Sequence, residues 1–136
     1  MSLSILIIDD EPHLPHQLAR FLKKHNYDVS AVADGEAGLR ELQKNNIDLV
    51  LLDLRLPKMG GLEVLQQVKA DARLRIIPVV VLTSSHEEKD KMRSYDFGVN
   101  AYVVKPVNFH EFVNAVKELG VFWAVINEPP PGSVKK

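Results

Sequence analysis

The chain has 136 residues, no cysteine and a formal charge of −1 at pH 7, a length that suits one domain with a real buried core. The near-neutral balance argues against a nucleic-acid partner, which needs a basic face, and the missing thiols exclude disulfide frameworks and thiolate zinc sites. No apolar run approaches the ~20 residues of a membrane span and no charged segment precedes a signal-like core, so the expectation is a cytoplasmic protein with no membrane partner.

Ser4-Ile5-Leu6-Ile7-Ile8-Asp9 is an apolar run that stops on acid, with Asp10 and Glu11 directly behind. A run without polar alternation reads as a strand covered on both faces, and so as part of a parallel sheet. Pro12 suits the first turn of a helix carrying Leu14, Leu18, Phe21, Leu22 and His25 near helical spacing. Asn26-Tyr27-Asp28 turns the chain into a weaker strand, Val29-Ser30-Ala31-Val32-Ala33, at or near a sheet edge. Asp34 caps a second helix to about Lys44, and Asn45-Asn46 ends it.

Asp48-Leu49-Val50-Leu51-Leu52-Asp53 repeats the opening pattern, and Pro57 prevents a helix from continuing through the following loop. Gly60-Gly61 leads into a helix with Leu62, Leu65 and Val68. Pro78-Val79-Val80-Val81-Leu82-Thr83 is the fourth strand, ending on a hydroxyl. Ser84-Ser85-His86-Glu87-Glu88 offers two overlapping capping boxes for the next helix, which Gly98 closes. Ala101-Tyr102-Val103-Val104-Lys105-Pro106 is the fifth strand, and Asn108 can cap a last helix. Five alternations of strand and helix give a doubly wound α/β sandwich.

Parallel strands present their carboxyl ends at one edge of the sheet, where functional groups gather. Asp9 and Asp10, Asp53, Thr83 and Lys105 should therefore converge. Read alone, Asp10 is a helix cap and Thr83 the start of a loop; it is the ordered set that points to a site. Three close carboxylates repel, and both the Lys105 ammonium and a bound divalent ion relieve them. Oxygen-only ligands favour Mg²⁺ (or Mn²⁺) over zinc. Such a carboxylate, beside a metal, a hydroxyl and a lysine, is equipped to receive a phosphoryl group, with Asp53 attacking in line.

These residues resemble the receiver domains of two-component response regulators, the CheY-like family. The motifs are Ile8-Asp9-Asp10-Glu11, Leu52-Asp53-Leu54-Arg55-Leu56-Pro57-Lys58-Met59-Gly60-Gly61, Leu82-Thr83-Ser84 and Val104-Lys105-Pro106. The resemblance implies a flavodoxin-like three-layer sandwich with strand order 2-1-3-4-5 and five helices. It implies that Asp53 is the phosphoacceptor, charged by a sensor histidine kinase, with signalling rather than turnover as the outcome. Asp10 would bind Mg²⁺ directly, Asp9 through water, and the Arg55 backbone carbonyl would add a ligand. Thr83 and Lys105 would contact the phosphoryl oxygens, and Tyr102 would be the switch aromatic that follows Thr83. By the same resemblance, Arg55 and Ser85 would occupy positions that tune phosphoryl lifetime. The chain departs from many relatives in having Gly60, not an acid, before Gly61.

Phe109, Phe112, Val116, Leu119, Trp123 and Ile126 form a stripe consistent with one helix over residues 108–127. Its surplus turn, with Phe122, Trp123 and Ile126, either folds back on the domain or pairs with a second copy, and a homodimer is the preferred expectation. The tail is similar to that of stand-alone receivers that partner bacterial phytochrome-type kinases. The expected organisation is a receiver over residues 1–128 and a disordered proline-rich tail at 129–136, without an output domain. His13 and His16 could share a metal but lack a third ligand.

Three readings compete with a phosphorylated switch. An aspartyl-nucleophile phosphatase would want an acid at position 55, where Arg55 stands. A flavodoxin-like cofactor carrier would want Ser, Thr and Gly where Asp9-Asp10-Glu11 stand. A receiver that is never phosphorylated would not need the complete site. Within the family, a phosphate shuttle or sink is the alternative role.

Overall fold

The computed structural model describes residues 4–11, 13–84 and 87–105. Among them, β1 (Ser4–Ile8), α1 (Leu14–Lys24), β2 (Asp28–Val32), α2 (Gly35–Lys44), β3 (Leu49–Leu52), α3 (Gly61–Ala70), β4 (Val79–Thr83), α4 (Glu88–Asp96) and β5 (Ala101–Val104) alternate along the chain. The strands form one parallel sheet in the order β2-β1-β3-β4-β5, as the alternation and the resemblance imply. β2, the weakest apolar run, is an edge strand. The expected last helix and tail, including Phe122, Trp123 and Ile126, lie outside the described residues, as do Pro12, Ser85 and His86.

Period-two alternation within the apolar strands divides the core in two. Ile5, Ile7, Leu49, Leu51, Val80 and Leu82 face Leu18 and Leu22 of α1. Their neighbours Leu6, Ile8, Val50, Leu52, Val79, Val81 and Tyr102 face Leu42 of α2 and Val64, Leu65 and Val68 of α3, with Tyr95 of α4 packed alongside. Both faces are covered, which is why the strands read as unbroken apolar runs.

Two helix starts differ from the sequence expectation. α1 begins at Leu14, so Pro15 rather than Pro12 occupies its first turn, where a missing N–H costs nothing. The capping boxes expected from Ser84 and Ser85 do not start α4. β4 runs through Thr83, and the helix starts at Glu88 behind an N-cap at Glu87 that makes no side-chain capping bond. Glu88 and Asp90 instead place negative charge on the first turn, which favours the exposed N–H groups there. Asp34 does cap α2, accepting from Ala37 N at 2.8 Å. Gly98, at φ 92°, ends α4 with its N–H on the Tyr95 carbonyl at 3.0 Å.

Candidate functional site

The sheet's hydrogen bonding runs one residue past the strands and so fixes the site backbone. Asp9 N donates to Val32 O at 3.1 Å, Asp53 N to Ile8 O at 2.9 Å, and Lys105 N to Thr83 O at 2.9 Å. The ends of β1, β3, β4 and β5 are thereby held side by side, with Asp9, Asp53, Thr83 and Lys105 on them. Tethered in this way, Lys105 Nζ reaches 2.8 Å from Asp9 Oδ2 and 3.6 Å from Asp53 Oδ2. One ammonium thus bridges two carboxylates that are each almost wholly buried. Its nearer contact is with Asp9, the more deeply buried side chain, where low dielectric strengthens the pair.

The second oxygen of each acid is held locally. Glu11 N donates to Asp9 Oδ1 at 2.9 Å and Arg55 N to Asp53 Oδ1 at 3.3 Å. Burial pushes the Asp9 carboxyl above the usual carboxylate range; the Lys105 and Glu11 hydrogen bonds oppose the rise, and the Asp53 charge adds to it. A single cation therefore leaves this corner short of positive charge. Asp10, which is exposed, brings a third carboxylate, and ligand oxygens of Asp9, Asp10 and Asp53 lie within 4.8 Å of one another. An all-oxygen, acid-rich donor set of this kind fits a hard divalent cation such as Mg²⁺ or Mn²⁺.

That charge deficit has a testable consequence. Since the folded state raises the Asp9 pKa, ionised Asp9 lowers stability at neutral pH, and the loss is relieved as pH falls through its folded value towards 3.8. In chelator-treated protein at pH 7, Asp9→Asn should raise Tm. The difference from the parent should shrink steadily on acidification, as followed by circular dichroism melts across a pH series.

Behind Asp53, the start of α3 presses on the loop. A Cβ at Gly61 would collide with the Asp53 carbonyl oxygen and come within 2.6 Å of Leu54 Cα. Glycine is required there by contact with backbone, whereas nothing lies within 4 Å of a Cβ at Gly60. Gly60 is the α3 N-cap with φ −68° and ψ 158°, open to any residue.

Of the remaining candidates, Thr83 is fully buried at the end of β4. Tyr102 is 1% exposed, in register with Val81, and packs in the core over α2 and α3. Arg55 is exposed and Ser85 lies outside the described residues. His13 and His16 are exposed, and among the described residues they join no metal-ligand cluster. Sequence reasoning missed Glu87, whose Oε1 stands 3.9 Å from Arg55 Nη2. Nothing in the local pattern of either loop marks that pairing.

Comparison with known proteins agrees with this fold. The family model described as the response regulator receiver domain matches residues 5–117. Among solved structures, the bacteriophytochrome response regulator RtBRR is 48% identical with a TM-score of 0.72, over 98% of this chain and 87% of that one. The Mn²⁺-bound form of response regulator Rcp1 is 32% identical with a TM-score of 0.73, over 98% of this chain and 99% of that one. Response regulator ArlR of Staphylococcus saprophyticus is 34% identical over 115 residues, covering 85% of this chain and 51% of ArlR. The chain spans about half the length of such curated relatives. With its sheet order, its edge of converging acids and lysine, and these matches, the chain belongs to the response regulator receiver domains, modules of two-component systems.

Proposed function

We propose that Asp53 accepts a phosphoryl group from a phosphohistidine of a sensor kinase, and that the modified domain signals by docking on other proteins. An Asp53 carboxylate oxygen forms the bond to phosphorus. The phosphorus–nitrogen bond breaks, and the histidine nitrogen keeps the electron pair. The observation that carries this reading is the Lys105 ammonium between Asp9 and Asp53, 2.8 and 3.6 Å away, placed to stabilise charge on the transferring oxygens. Thr83, on the adjoining strand end, would donate to the same group. Asp9, Asp10, Asp53 and the Arg55 carbonyl would hold Mg²⁺ or Mn²⁺, which supplies further positive charge against the phosphoryl oxygens.

Tyr102 would carry the change outward. It sits one strand from Thr83 in a core position, so a displacement of Thr83 towards the phosphoryl group would reach it through packed side chains. The likeness to RtBRR supports a phytochrome-type kinase as the donor. The apolar residues Phe122, Trp123 and Ile126, outside the described residues, would close a homodimer.

Intact mass spectrometry after incubation with acetyl phosphate and Mg²⁺ tests the chemistry. The parent should gain the mass of one phosphoryl group, and Asp53→Asn should gain none. An unmodified parent, or a modified Asn variant, would overturn the reading.

A further inference from the structure

Arg55 is tied to Asp53 through its backbone, since its N–H donates to Asp53 Oδ1 at 3.3 Å. Its guanidinium, however, makes its ion pair elsewhere. Nη2 stands 3.9 Å from Glu87 Oε1, on a loop that precedes α4, while the other Glu87 oxygen lies 3.8 Å from Lys89 Nζ. Both members of the Arg55–Glu87 pair are more than half exposed, at 62% and 52%. The pair is therefore weak, and a stronger acceptor within reach can displace it.

A phosphoryl group on Asp53 is such an acceptor. It would carry close to two negative charges and three oxygens, against one charge on Glu87. The guanidinium fork suits two phosphoryl oxygens at once. We propose that Glu87 is a positioning residue for Arg55: by competing for the guanidinium it keeps Arg55 off the phosphoryl group and so shortens the lifetime of phosphorylated Asp53. The inference rests on Asp53 being the phosphoacceptor. Loss of the group is hydrolysis. A water oxygen bonds to phosphorus, and the bond from phosphorus to the Asp53 oxygen breaks. That oxygen keeps the electron pair, the water gives a proton to solvent, and inorganic phosphate leaves. Arg55 seated on the phosphoryl oxygens would neutralise charge on the phosphorylated state and crowd the phosphorus against water, so hydrolysis slows.

The test follows phosphoryl loss after removal of excess acetyl phosphate, by phosphate-affinity electrophoresis of the full chain. Four proteins are compared: the parent, Glu87→Gln, Arg55→Gln and the double variant. Glu87→Gln should lengthen the half-life roughly two- to fivefold, the range an exposed ion pair can supply. The same change in the Arg55→Gln background should have no effect, because there is no guanidinium left to release. The reversed pair, Arg55→Glu with Glu87→Arg, places a cation on the α4 side and should retain less than half of the Glu87→Gln gain. An equal effect of Glu87→Gln in both backgrounds, or none in the first, overturns the role given to Glu87. Failure of the parent to take up phosphate at all overturns instead the assignment of Asp53 on which it rests.

Discussion

Lys105→Ala is expected to slow phosphoryl uptake from acetyl phosphate by about 100- to 1000-fold, the loss typical when one preorganised donor to a developing oxyanion is removed. The reason lies in the charge arrangement. Lys105 Nζ is 2.8 Å from Asp9 Oδ2 and 3.6 Å from Asp53 Oδ2, so its removal leaves two buried carboxylates facing each other. The hydrogen bond that opposes the upward shift of Asp9 is lost as well, and Asp9 becomes harder to ionise and a poorer ligand. Lys105→Arg should recover little, because the planar fork cannot occupy the space of a single ammonium between two fixed oxygens. Uptake is read by mass spectrometry over a time course at saturating Mg²⁺, with circular dichroism confirming that the variant is folded. An undiminished rate in the alanine variant would remove Lys105 from the chemistry.

Gly61→Ala should cost about 3 kcal/mol of stability, the upper end of what overpacking usually costs. The new methyl would meet the Asp53 carbonyl oxygen and Leu54 Cα, which are backbone atoms with no rotamer to change. For a domain of this size, that corresponds to a fall in Tm of roughly 10 °C. Relief would have to come from moving α3 or the loop that carries Asp53, so phosphoryl uptake should fall with stability. The adjacent substitution should act in the opposite sense. Gly60→Ala keeps an allowed backbone and meets nothing within 4 Å, and it should gain about 0.4–1 kcal/mol by restricting the unfolded chain. Gly60→Asp, which supplies the acid many relatives have there, should also cap α3. Urea titrations of the three variants check all of this; equal stabilities for Gly60→Ala and Gly61→Ala would refute the close-approach account.

The contrast between these two glycines shows what a sequence can and cannot reveal. Asp9, Asp53, Thr83 and Lys105 were legible because each closes an apolar run, and parallel pairing sends such ends to one edge by geometry alone. The sheet itself was legible for the same reason: a strand buried on both faces has no polar alternation to disguise it. Gly60-Gly61 was visible only as a loosened loop, since a contact between a helix start and the backbone seven or eight residues earlier leaves no mark on residue type. The Arg55–Glu87 pair joins two loops whose approach depends on the whole sheet being assembled. Helix starts failed differently. Two prolines, Pro12 and Pro15, suit a first turn, and two serines and two glutamates satisfy the same capping rule around residue 85. Local chemistry then permits several starts, and the strand lengths choose among them.

The site draws on four of the five strands and takes no side chain from β2, the edge strand. The turn that feeds β2, where Asn26 adopts φ 69°, lies at the amino ends of the strands, on the pole opposite Asp53. A fluorophore or an inserted epitope at that turn would therefore sit a full strand length from the chemistry and from the Arg55 loop. It offers a handle for watching the protein in living cells while leaving the Asp53 site untouched.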